Sequence, residues 1–409
     1  MTKKEPIKPN FTVVYPINIR FPMERANSVQ IAHTCRELAQ QGVRVYLLVR
    51  RTTSMSNEQI LAHYGLDAHK NLIIKRIPVI NWSNHAFVWN KSFYAAVLLY
   101  ILWLLCTKKI DCFFLRDLGI AKILIPLRKI FGFKVLYETH IVSYIMTGQQ
   151  HELFPDTAPA TDALIRKIES TERFVMTMSD HLIAITDRLK TRIIQLFDVP
   201  DSRISVLPDG VDLSVYKTKK HINREGLVYV GQLYPWKGAG TLIDAMQYIE
   251  STLTVVGGIP FEDDLEQLRK RAENVGVIDK IRFTGFVPHG QVADYLMSAQ
   301  ISVIPLPDNI MAREYTSPLK LFESMGAGTA VVASDLPSIR EIITDRKNGM
   351  LFTPEDPVDL ARTVNELLNN RELAKNIVDR AAIDVKQYTW QKRTEHIVKI
   401  LKNGLRQHF

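Results

Sequence analysis

The sequence is poor in the features that mark secreted or metal-binding proteins. Its 409 residues contain only three cysteines, Cys35, Cys106 and Cys112, and their spacing matches no metal-ligand pattern. An odd number of scattered cysteines indicates a reducing compartment rather than a disulfide framework. The first residues lack the apolar core of a signal peptide, so we expect no secretory signal. These absences together predict a cytoplasmic protein.

Motifs for two other kinds of ligand are also missing. Neither half of the chain has Gly-x-Gly-x-x-Gly after its first strand-like segment, which argues against a dinucleotide-dependent oxidoreductase. No zinc-finger, helix-turn-helix or aromatic RNA-binding pattern occurs, so we expect no nucleic-acid partner. The acidic pair Asp263-Asp264 falls at a predicted helix start, where helix capping explains it better than a metal site. We therefore expect no cofactor and no metal.

Charge is unevenly distributed along the chain. Residues 1–134 contain 20 Lys or Arg against 7 Asp or Glu, a net charge of +13, whereas the remaining residues carry a net charge of −4. The same region holds an uncharged apolar run at 93–106, flanked by lysines. Its 14 residues are too few to span a bilayer, which needs about 20. Two interpretations stay open: a buried helix of the N-terminal sheet, or a helix in peripheral contact with the inner membrane face.

Short apolar segments rich in β-branched residues alternate with helical periodicity along the whole chain, which is typical of parallel sheets covered by helices. We predict N-terminal strands at 12–15, 45–49, 72–76, 112–115, 135–138, 181–185 and 204–207. We predict C-terminal strands at 227–230, 253–256, 281–283, 301–304, 330–333 and 350–352. About a dozen strands are too many for one ordinary sheet, so we expect two doubly wound units.

Helix signals support this division. Ser28 is a candidate N-cap for the first helix, and Gly42 and Gly132 are placed to end helices. The polar, charged segment 217–225 is predicted to be a linker. We therefore predict units at 1–215 and 216–388 and a C-terminal helix at 389–409 that packs back on the first unit. Second-unit helices are predicted at 241–249, 265–274, 291–299, 318–325, 358–368 and 373–387.

Two segments of the second unit have the chemistry of a diphosphate site. The first, from Gly231 to Gly238, follows a strand-like run and carries Lys237 on a strand-to-helix loop. Loops of this kind line the ligand crevice of open α/β sheets. In the second, Ser317 is a candidate N-cap and Pro318 suits the first helical position. Free N–H groups at the helix start and the lysine charge together favour an anion, although an ordinary helix start and a surface lysine are the simpler alternative.

Five motifs resemble glycosyltransferase family 4, the group 1 glycosyltransferases, and the C-terminal half matches more specifically than the N-terminal half. Members have the GT-B architecture: two Rossmann-like domains facing each other across a cleft, with a C-terminal helix that returns to the first domain. The resemblance implies an acceptor-binding first domain and a donor-binding second domain. The matching motifs are Tyr229-Val230-Gly231-Gln232-Leu233 through Lys237-Gly238, Phe283-Thr284-Gly285-Phe286-Val287, Ser317-Pro318-Leu319-Lys320-Leu321-Phe322-Glu323 with the segment 327–335, Pro208-Asp209-Gly210-Val211-Asp212 and Tyr388-Thr389-Trp390.

The resemblance also implies roles for individual residues. Lys237 would pair with the donor diphosphate, and Glu323 would accept hydrogen bonds from ribose hydroxyls. His140 follows a predicted strand, where the family has a histidine that contacts the donor sugar. With Glu314, discussed next, the expected catalytic residues are His140, Lys237 and Glu314. The expected donor-binding residues are Gly231, Gln232, Lys237, Gly285, Ser317, Pro318, Leu319, Lys320 and Glu323, with backbone amides at 317–320 holding phosphate oxygens.

The chain departs from the family pattern at three places. Gln232 stands where members commonly have an arginine, so Arg313, Lys320 or a basic group of the first domain is expected to compensate. Tyr315 stands where a glutamate is common, and a one-residue slip in a loop would let Glu314 serve instead. The glycine-rich loop usual after the first strand is replaced by the segment 16–28.

The function implied by the resemblance is a retaining, metal-independent hexosyltransferase. It would move a sugar from a nucleotide-diphosphate sugar, UDP- or GDP-linked, to a glycan or a lipid-linked acceptor. Two alternatives stay open: a sugar-nucleotide epimerase of the same fold, and a catalytically degenerate subunit that binds sugar or lipid as a scaffold. The motifs do not specify the donor base, the sugar or the acceptor.

Overall fold

The computed structural model describes residues 11–23, 25–82, 87–88, 90–153, 157–216, 224–258 and 263–406. Within these ranges the chain forms two compact units. The first unit contains residues up to 185, residues 189–207 and the segment from 391 onward, and the second contains residues 186–188 and 208–390. Most of the predicted linker at 217–225 lies outside the described residues.

The first unit is an α/β structure around a parallel sheet. Its strands are β1 (Phe11–Pro16), β2 (Val43–Arg50), β3 (Leu72–Ile77), β4 (Asn81–Trp82), β5 (Phe87–Val88), β6 (Cys112–Leu115), β7 (Lys134–Thr139), β8 (His181–Ala184) and β9 (Ile204–Val206). The helices before residue 200 are α1 (Ala26–Gln40), α2 (Asn57–Ala62), α3 (Asn90–Thr107), α4 (Leu118–Phe131), α5 (Ser143–Gly148), α6 (Gln150–Leu153), α7 (Asp162–Met178) and α8 (Asp187–Phe197). The seven-stranded sheet has the order β3-β2-β1-β6-β7-β8-β9 with parallel neighbours, and β4 and β5 form a separate antiparallel pair.

The second unit repeats this design. Its strands are β10 (Leu227–Val230), β11 (Leu253–Val256), β12 (Ile281–Gly285), β13 (Ile301–Ile304), β14 (Ala330–Ser334) and β15 (Met350–Phe352). Its helices are α9 (Ala239–Ala245), α10 (Asp264–Asn274), α11 (His289–Ser298), α12 (Ile310–Glu314), α13 (Leu319–Gly326), α14 (Pro337–Arg340), α15 (Pro357–Asn369) and α16 (Arg371–Asp384). The parallel order is β12-β11-β10-β13-β14-β15. The last helix, α17 (Trp390–Arg406), belongs from residue 391 onward to the first unit.

Burial explains why the strands could be found in the sequence. Every residue of β6, β13 and β14 is buried, because helices cover both faces of a parallel sheet. Such strands appear as uninterrupted apolar segments rather than as alternating ones. The predicted α/β class with two parallel sheets is confirmed.

Helix starts were predicted less well than strands. α1 begins at Ala26, and the N–H of Ser28 already bonds the carbonyl oxygen of Arg25 at 2.9 Å. Ser28 is therefore inside the first turn, and its predicted capping role is wrong. Asp263 does precede α10, but its side chain accepts no capping hydrogen bond. Helix ends fit better, since Gly132 has a φ of 72° directly after α4.

The segment that replaces the glycine-rich loop of the family is held by side chains. Phe21 is fully buried in the first unit. Asn18 accepts a hydrogen bond from Arg50 Nε at 2.6 Å. The buried Phe21 side chain and the Asn18–Arg50 hydrogen bond therefore hold the segment after β1, which contains no run of glycines.

Helix α3, which contains the apolar run 93–106, is buried on one face only. Phe93, Val97, Ile101 and Leu104 have no exposed surface and face the core. On the opposite side Leu99 is 70% exposed, Trp103 51% and Leu102 40%; these three residues are called the apolar face of α3 below. Within the described part of the chain no helix is both long and apolar enough to cross a bilayer.

Candidate functional site

A close backbone approach shapes the loop after β10. Residues Pro235–Lys237 form one turn of 3-10 helix, and Gly238 reverses the chain with a φ of 75°. A Cβ on Gly238 would lie only 1.7 Å from the carbonyl oxygen of Pro305. Glycine is therefore required here on two counts, the positive φ and the contact. The turn fixes where Lys237 leaves the backbone.

Lys237 is a half-buried cation without a carboxylate partner among the described residues. Its Nζ lies 4.2 Å from the centre of the Trp236 ring, which stacks in turn on Tyr234. Burial lowers the pKa of Lys237 to about 8, because removal from water disfavours its charged form. A sheltered ammonium group of this kind has the chemistry to bind a ligand that brings negative charge.

The same loop offers a second unused donor. Within the described part of the chain, the side-chain nitrogen of Gln232 is buried and has no hydrogen-bond partner. Buried polar groups in folded proteins are almost always paired, so an unpaired one points to a bound water or ion or to a functional role. Lys237 and Gln232 therefore supply a cation and an amide donor from one loop.

Three glycines lie at the adjacent ends of β10, β11 and β12. The N–H of Gly231 bonds the carbonyl oxygen of Val256, and the N–H of Gly257 bonds that of Gly285 at 3.1 Å. A Cβ on Gly257 would meet the carbonyl oxygen of Gly231 at 1.8 Å. The carboxyl ends of these strands therefore lack side-chain bulk, and this edge is where open α/β sheets bind ligands.

Helix α13 begins without a side-chain cap. Pro318 occupies the N-cap position, and the helix runs from Leu319 to Gly326. The predicted capping by Ser317 is wrong, because its hydroxyl accepts the N–H of Asp209 at 2.9 Å instead. The first-turn N–H groups of α13 thus keep the capacity to bind an anion.

Both charged side chains predicted on α13 pair with each other. Lys320 Nζ lies 2.6 Å from Glu323 Oε2, and the Glu323 side chain is only 8% exposed. The carboxylate predicted to bind ribose hydroxyls therefore has a built-in counter-charge. Lys320 is correspondingly less available as the cation that compensates for Gln232.

The segment before Ser317 is a short helix rather than the expected loop. α12 ends at Glu314. Arg313 Nη1 lies 3.0 Å from Asp308 Oδ1 and 3.1 Å from Asp308 Oδ2, so the two side chains form an ion pair. Arg313 thus already has a carboxylate partner and is not a spare cation for the donor site. Tyr315, at the position where the family commonly has a glutamate, is buried. Glu314, one residue earlier, is partly exposed.

In the first unit, His140 stands just after β7 and joins a buried polar cluster. Its Nε2 lies 2.6 Å from Glu138 Oε1, and Gln30 Nε2 donates to the same oxygen at 2.7 Å. Glu138 Oε2 accepts from Arg393 at 2.8 Å. Arg116 Nε lies 3.9 Å from the same Oε1. We call these five residues the His140 cluster.

The electrostatics of the cluster keep the carboxylate charged and the imidazole neutral. Burial alone would raise the pKa of Glu138, but Arg393, the His140 hydrogen bond and Arg116 together hold it well below its usual range. Burial, followed by Arg116, lowers the pKa of His140 to about 4 despite the hydrogen bond to Glu138. At neutral pH His140 is therefore a hydrogen-bonding group without charge.

The sequence interpretation missed four members of this cluster. One signal was available: Glu138 and His140 are two residues apart at a strand end, where period two puts side chains on one face. Arg393 is 255 residues from Glu138 along the chain and Gln30 is 108 residues away. Local periodicity carries no information about contacts of that range.

Comparisons with known proteins agree with this architecture. A family model described as Glycosyltransferase Family 4 matches residues 28–215, and one described as Glycosyl transferases group 1 matches residues 216–384. The D-inositol 3-phosphate glycosyltransferase of Frankia alni is 27% identical over 260 residues, covering 57% of this chain and 61% of that protein. An uncharacterized glycosyltransferase of Methanocaldococcus jannaschii is 27% identical over 259 residues, covering 58% and 63%. The chain thus matches about three fifths of the length of these relatives.

Solved structures show the same fold over nearly the whole chain. Sucrose-phosphate synthase from Thermosynechococcus elongatus has a TM-score of 0.76 at 16% identity, covering 96% of this chain and 99% of that one. Anabaena HepE in complex with UDP-glucose has a TM-score of 0.71 at 15% identity, covering 96% and 100%. Two parallel α/β units of this kind define the GT-B class of glycosyltransferase folds. Since the two family models together match most of the sequence, the chain belongs to the group 1 glycosyltransferases, glycosyltransferase family 4.

Proposed function

We propose that the protein is a retaining, metal-independent hexosyltransferase that uses a nucleotide-diphosphate sugar, UDP- or GDP-linked. The observation that carries the proposal is the loop after β10, where, among the described residues, Lys237 has no carboxylate partner and the buried side-chain nitrogen of Gln232 has no hydrogen-bond partner. The uncapped start of α13 supports it. A neighbour of the same fold was solved with UDP-glucose, which favours a UDP-linked donor.

The proposed chemistry needs charge stabilisation more than a covalent catalyst. As the bond from the anomeric carbon to the diphosphate breaks, negative charge grows on the leaving oxygen. Lys237 and the first-turn amides of α13 would stabilise that charge in place of a metal ion. The acceptor hydroxyl would attack on the same face and give its proton to the leaving phosphate, so that configuration is retained.

The remaining site residues receive roles within this proposal. Glu323 binds the ribose hydroxyls, and Gly285 leaves space beside the base. His140 accepts a hydrogen bond from a hydroxyl of the transferred sugar. Glu314, the partly exposed residue before the buried Tyr315, faces the sugar hydroxyls. The donor-binding set is completed by Gly231, Gln232, Ser317, Pro318, Leu319 and Lys320.

The acceptor is proposed to be lipid-linked or a glycan held near the cytoplasmic side of the inner membrane. The apolar face of α3 exposes three large side chains that a soluble surface does not require. Exposed lysines lie at both ends of this helix, at Lys91, Lys108 and Lys109. An apolar face bordered by lysines matches an interface with anionic lipid, where apolar burial and charge attraction act together.

The turnover test compares Lys237→Ala with Lys270→Ala, a matched control on the exposed side of α10. Each variant is assayed with a panel of nucleotide sugars, with and without candidate glycan and lipid-linked acceptors, and folding is checked by thermal melting. We expect Lys237→Ala to lose at least about tenfold in transfer, because a charge-assisted hydrogen bond contributes about 1.5–3 kcal/mol. Lys270→Ala should stay within twofold.

Other outcomes separate the alternatives. Conversion of the donor without any acceptor would indicate an epimerase. Donor binding without conversion or hydrolysis would indicate a degenerate scaffold subunit. Equal transfer by wild type and Lys237→Ala would contradict the proposed diphosphate site, and a product of inverted configuration would contradict retention.

A further inference from the structure

The His140 cluster contains more charge than a structural core requires. Arg116 and Arg393 flank a single carboxylate, Glu138, and the Glu138 side chain is only 1% exposed. Burying ionised groups costs free energy unless every one is paired and hydrogen-bonded. The His140 side chain, by contrast, is 25% exposed at the edge of this cluster. His140 is thus the most exposed member of the cluster, ahead of Arg116, whose side chain is 13% exposed.

Each polar atom that faces Glu138 is a donor. The carboxylate can only accept, because two guanidinium groups keep it ionised. Oε1 accepts from His140 and from Gln30, and Oε2 accepts from Arg393. The 2.6 Å contact with Oε1 therefore requires the imidazole proton to be on His140 Nε2.

Gln30 holds this assignment in place. Its amide oxygen accepts from Arg116 Nη1 at 2.6 Å while its amide nitrogen donates to Glu138. A flipped amide would place a donor against the guanidinium group, so the orientation is fixed. Gln30 thus cannot become an acceptor that competes with Glu138 for the imidazole proton.

We propose that Glu138 is a positioning residue that fixes the tautomer of His140, with the proton on Nε2 and the Nδ1 lone pair kept as a hydrogen-bond acceptor for a sugar hydroxyl. Arg393, contributed by α17, is the counter-ion that maintains this state. The role in catalysis rests on the proposed function, whereas the tautomer itself does not.

The geometry supports this division of roles between the two ring nitrogens. Among the described residues, Nε2 donates to Glu138 Oε1 at 2.6 Å, and no hydrogen bond is made to Nδ1. The Gln30 amide nitrogen lies 3.5 Å from Nε2, but both atoms are donors, so that contact is not a hydrogen bond. A neutral imidazole with Nε2–H has its lone pair on Nδ1. Protonation of Nδ1 would add a third positive charge beside Arg116 and Arg393, so the ring stays an acceptor at neutral pH. A substrate group that meets it must then be a donor, which selects a free hydroxyl over an ether or a phosphate.

The test is nitrogen NMR of the full-length protein labelled at its histidine side chains. The His140 signals are assigned by their loss in His140→Gln. In the wild type at pH 7 we expect Nε2 in the protonated range and Nδ1 in the unprotonated range. In Glu138→Gln the new amide can donate to Nε2, so we expect a shift of the proton towards Nδ1.

Kinetics then connect the tautomer to turnover. We expect Glu138→Gln to lower kcat by roughly tenfold, because the sugar hydroxyl would lose the acceptor that one hydrogen bond requires. The donor KM should change less than twofold, because Lys237 and α13 are untouched. In a His140→Ala background the same substitution should cause no further loss, since its effect passes through His140.

Two further variants keep the test decisive. Glu138→Asp preserves the charge opposite Arg116 and Arg393 but withdraws the oxygen from His140 Nε2. It should loosen the tautomer even where Glu138→Gln fails to fold. Glu172→Gln removes another buried carboxylate of the same unit, which accepts backbone N–H groups of Ser143 and Tyr144, and should leave the His140 signals unchanged.

The results distinguish this inference from the proposed function. A fixed Nε2–H tautomer in a protein without transferase activity would support the positioning role and contradict the proposed function. A mixture of tautomers in the wild type would overturn the inference. Unchanged nitrogen signals in both Glu138 variants would also overturn it, as would equal loss of kcat in the wild-type and His140→Ala backgrounds.

Discussion

At the scale of single residues, Lys237 is the clearest sign of function. Burial has lowered its pKa to about 8, and no carboxylate among the described residues compensates it. A structural lysine would ordinarily reach solvent or a partner. The alternative that Lys237 is a plain surface lysine therefore fits the structure poorly.

This pKa leads to a pH dependence of donor binding. The charged form of Lys237 binds a diphosphate, and the fraction of that form falls once the pH exceeds about 8. We expect the affinity for a nucleotide sugar to be constant below pH 8 and to decline by up to about tenfold per unit above it. Calorimetric titrations at pH 7, 8 and 9 measure this.

The variant Lys237→Ala serves as the control for that experiment. Ionisation of the ligand itself is common to both proteins, so only the difference between them reports on Lys237. Wild type and variant with the same pH slope would show that Lys237 does not titrate against the ligand.

At the scale of elements, the sequence predicted strands better than contacts. The bounds of β6, β10, β11, β13 and β15 were predicted to the residue, because buried parallel strands stand out as apolar segments. The sequence also predicted that Gly231, Lys237 and Gly238 lie on the loop after β10, because they directly follow that strand. It did not predict the hydrogen-bond or ion-pair partners of polar side chains.

Ser317 shows why such partners escape local patterns. Its position before Pro318 fits a capping signal, yet its hydroxyl bonds the N–H of Asp209, 108 residues earlier. Arg313 and Lys320 were two of the alternatives expected to compensate for Gln232, and each has a carboxylate partner within five residues along the chain. Local sequence limits the partners that a polar side chain can have, and the tertiary structure determines which of them it contacts.

Helix α3 gives a prediction at the element scale. Leu99→Ser with Trp103→Ser removes two exposed side chains from its apolar face and leaves the buried face intact. Burying a large apolar side chain contributes about 1.5–3 kcal/mol, so we expect binding to vesicles with anionic lipid to fall at least about tenfold. Cosedimentation measures this, and wild-type binding should also weaken as salt increases.

A matched control comes from α16. Ile383 is 59% exposed in the second unit, so Ile383→Ser removes an apolar side chain outside the proposed interface. It should leave vesicle binding unchanged. Wild-type protein that stays in solution with anionic vesicles at low salt would contradict membrane contact through α3.

At the scale of the whole molecule, the chain leaves its first unit and comes back to it. The second unit ends at Trp390, and three residues later Arg393 bonds Glu138 inside the first unit. The C-terminal helix is therefore part of the His140 cluster. Its removal is expected to leave Glu138 without its closest guanidinium partner.

The division of charge also belongs to this scale. The basic excess is confined to residues 1–134, which include α3, whereas the donor-site loops lie in the part of the chain with a net charge of −4. Lys237 is therefore not part of the basic excess, and the donor experiments and the vesicle experiments test two separate features of the chain.

The central claim is that the second unit binds a nucleotide-diphosphate sugar through Lys237, and calorimetric titration of UDP- and GDP-sugars into the full-length protein tests it most directly. We expect at least one of these ligands to bind, Lys237→Ala to weaken that binding roughly 10- to 150-fold, and Lys270→Ala to leave it within twofold. Absence of binding by every nucleotide sugar, or equal affinity of wild type and Lys237→Ala, would contradict the claim.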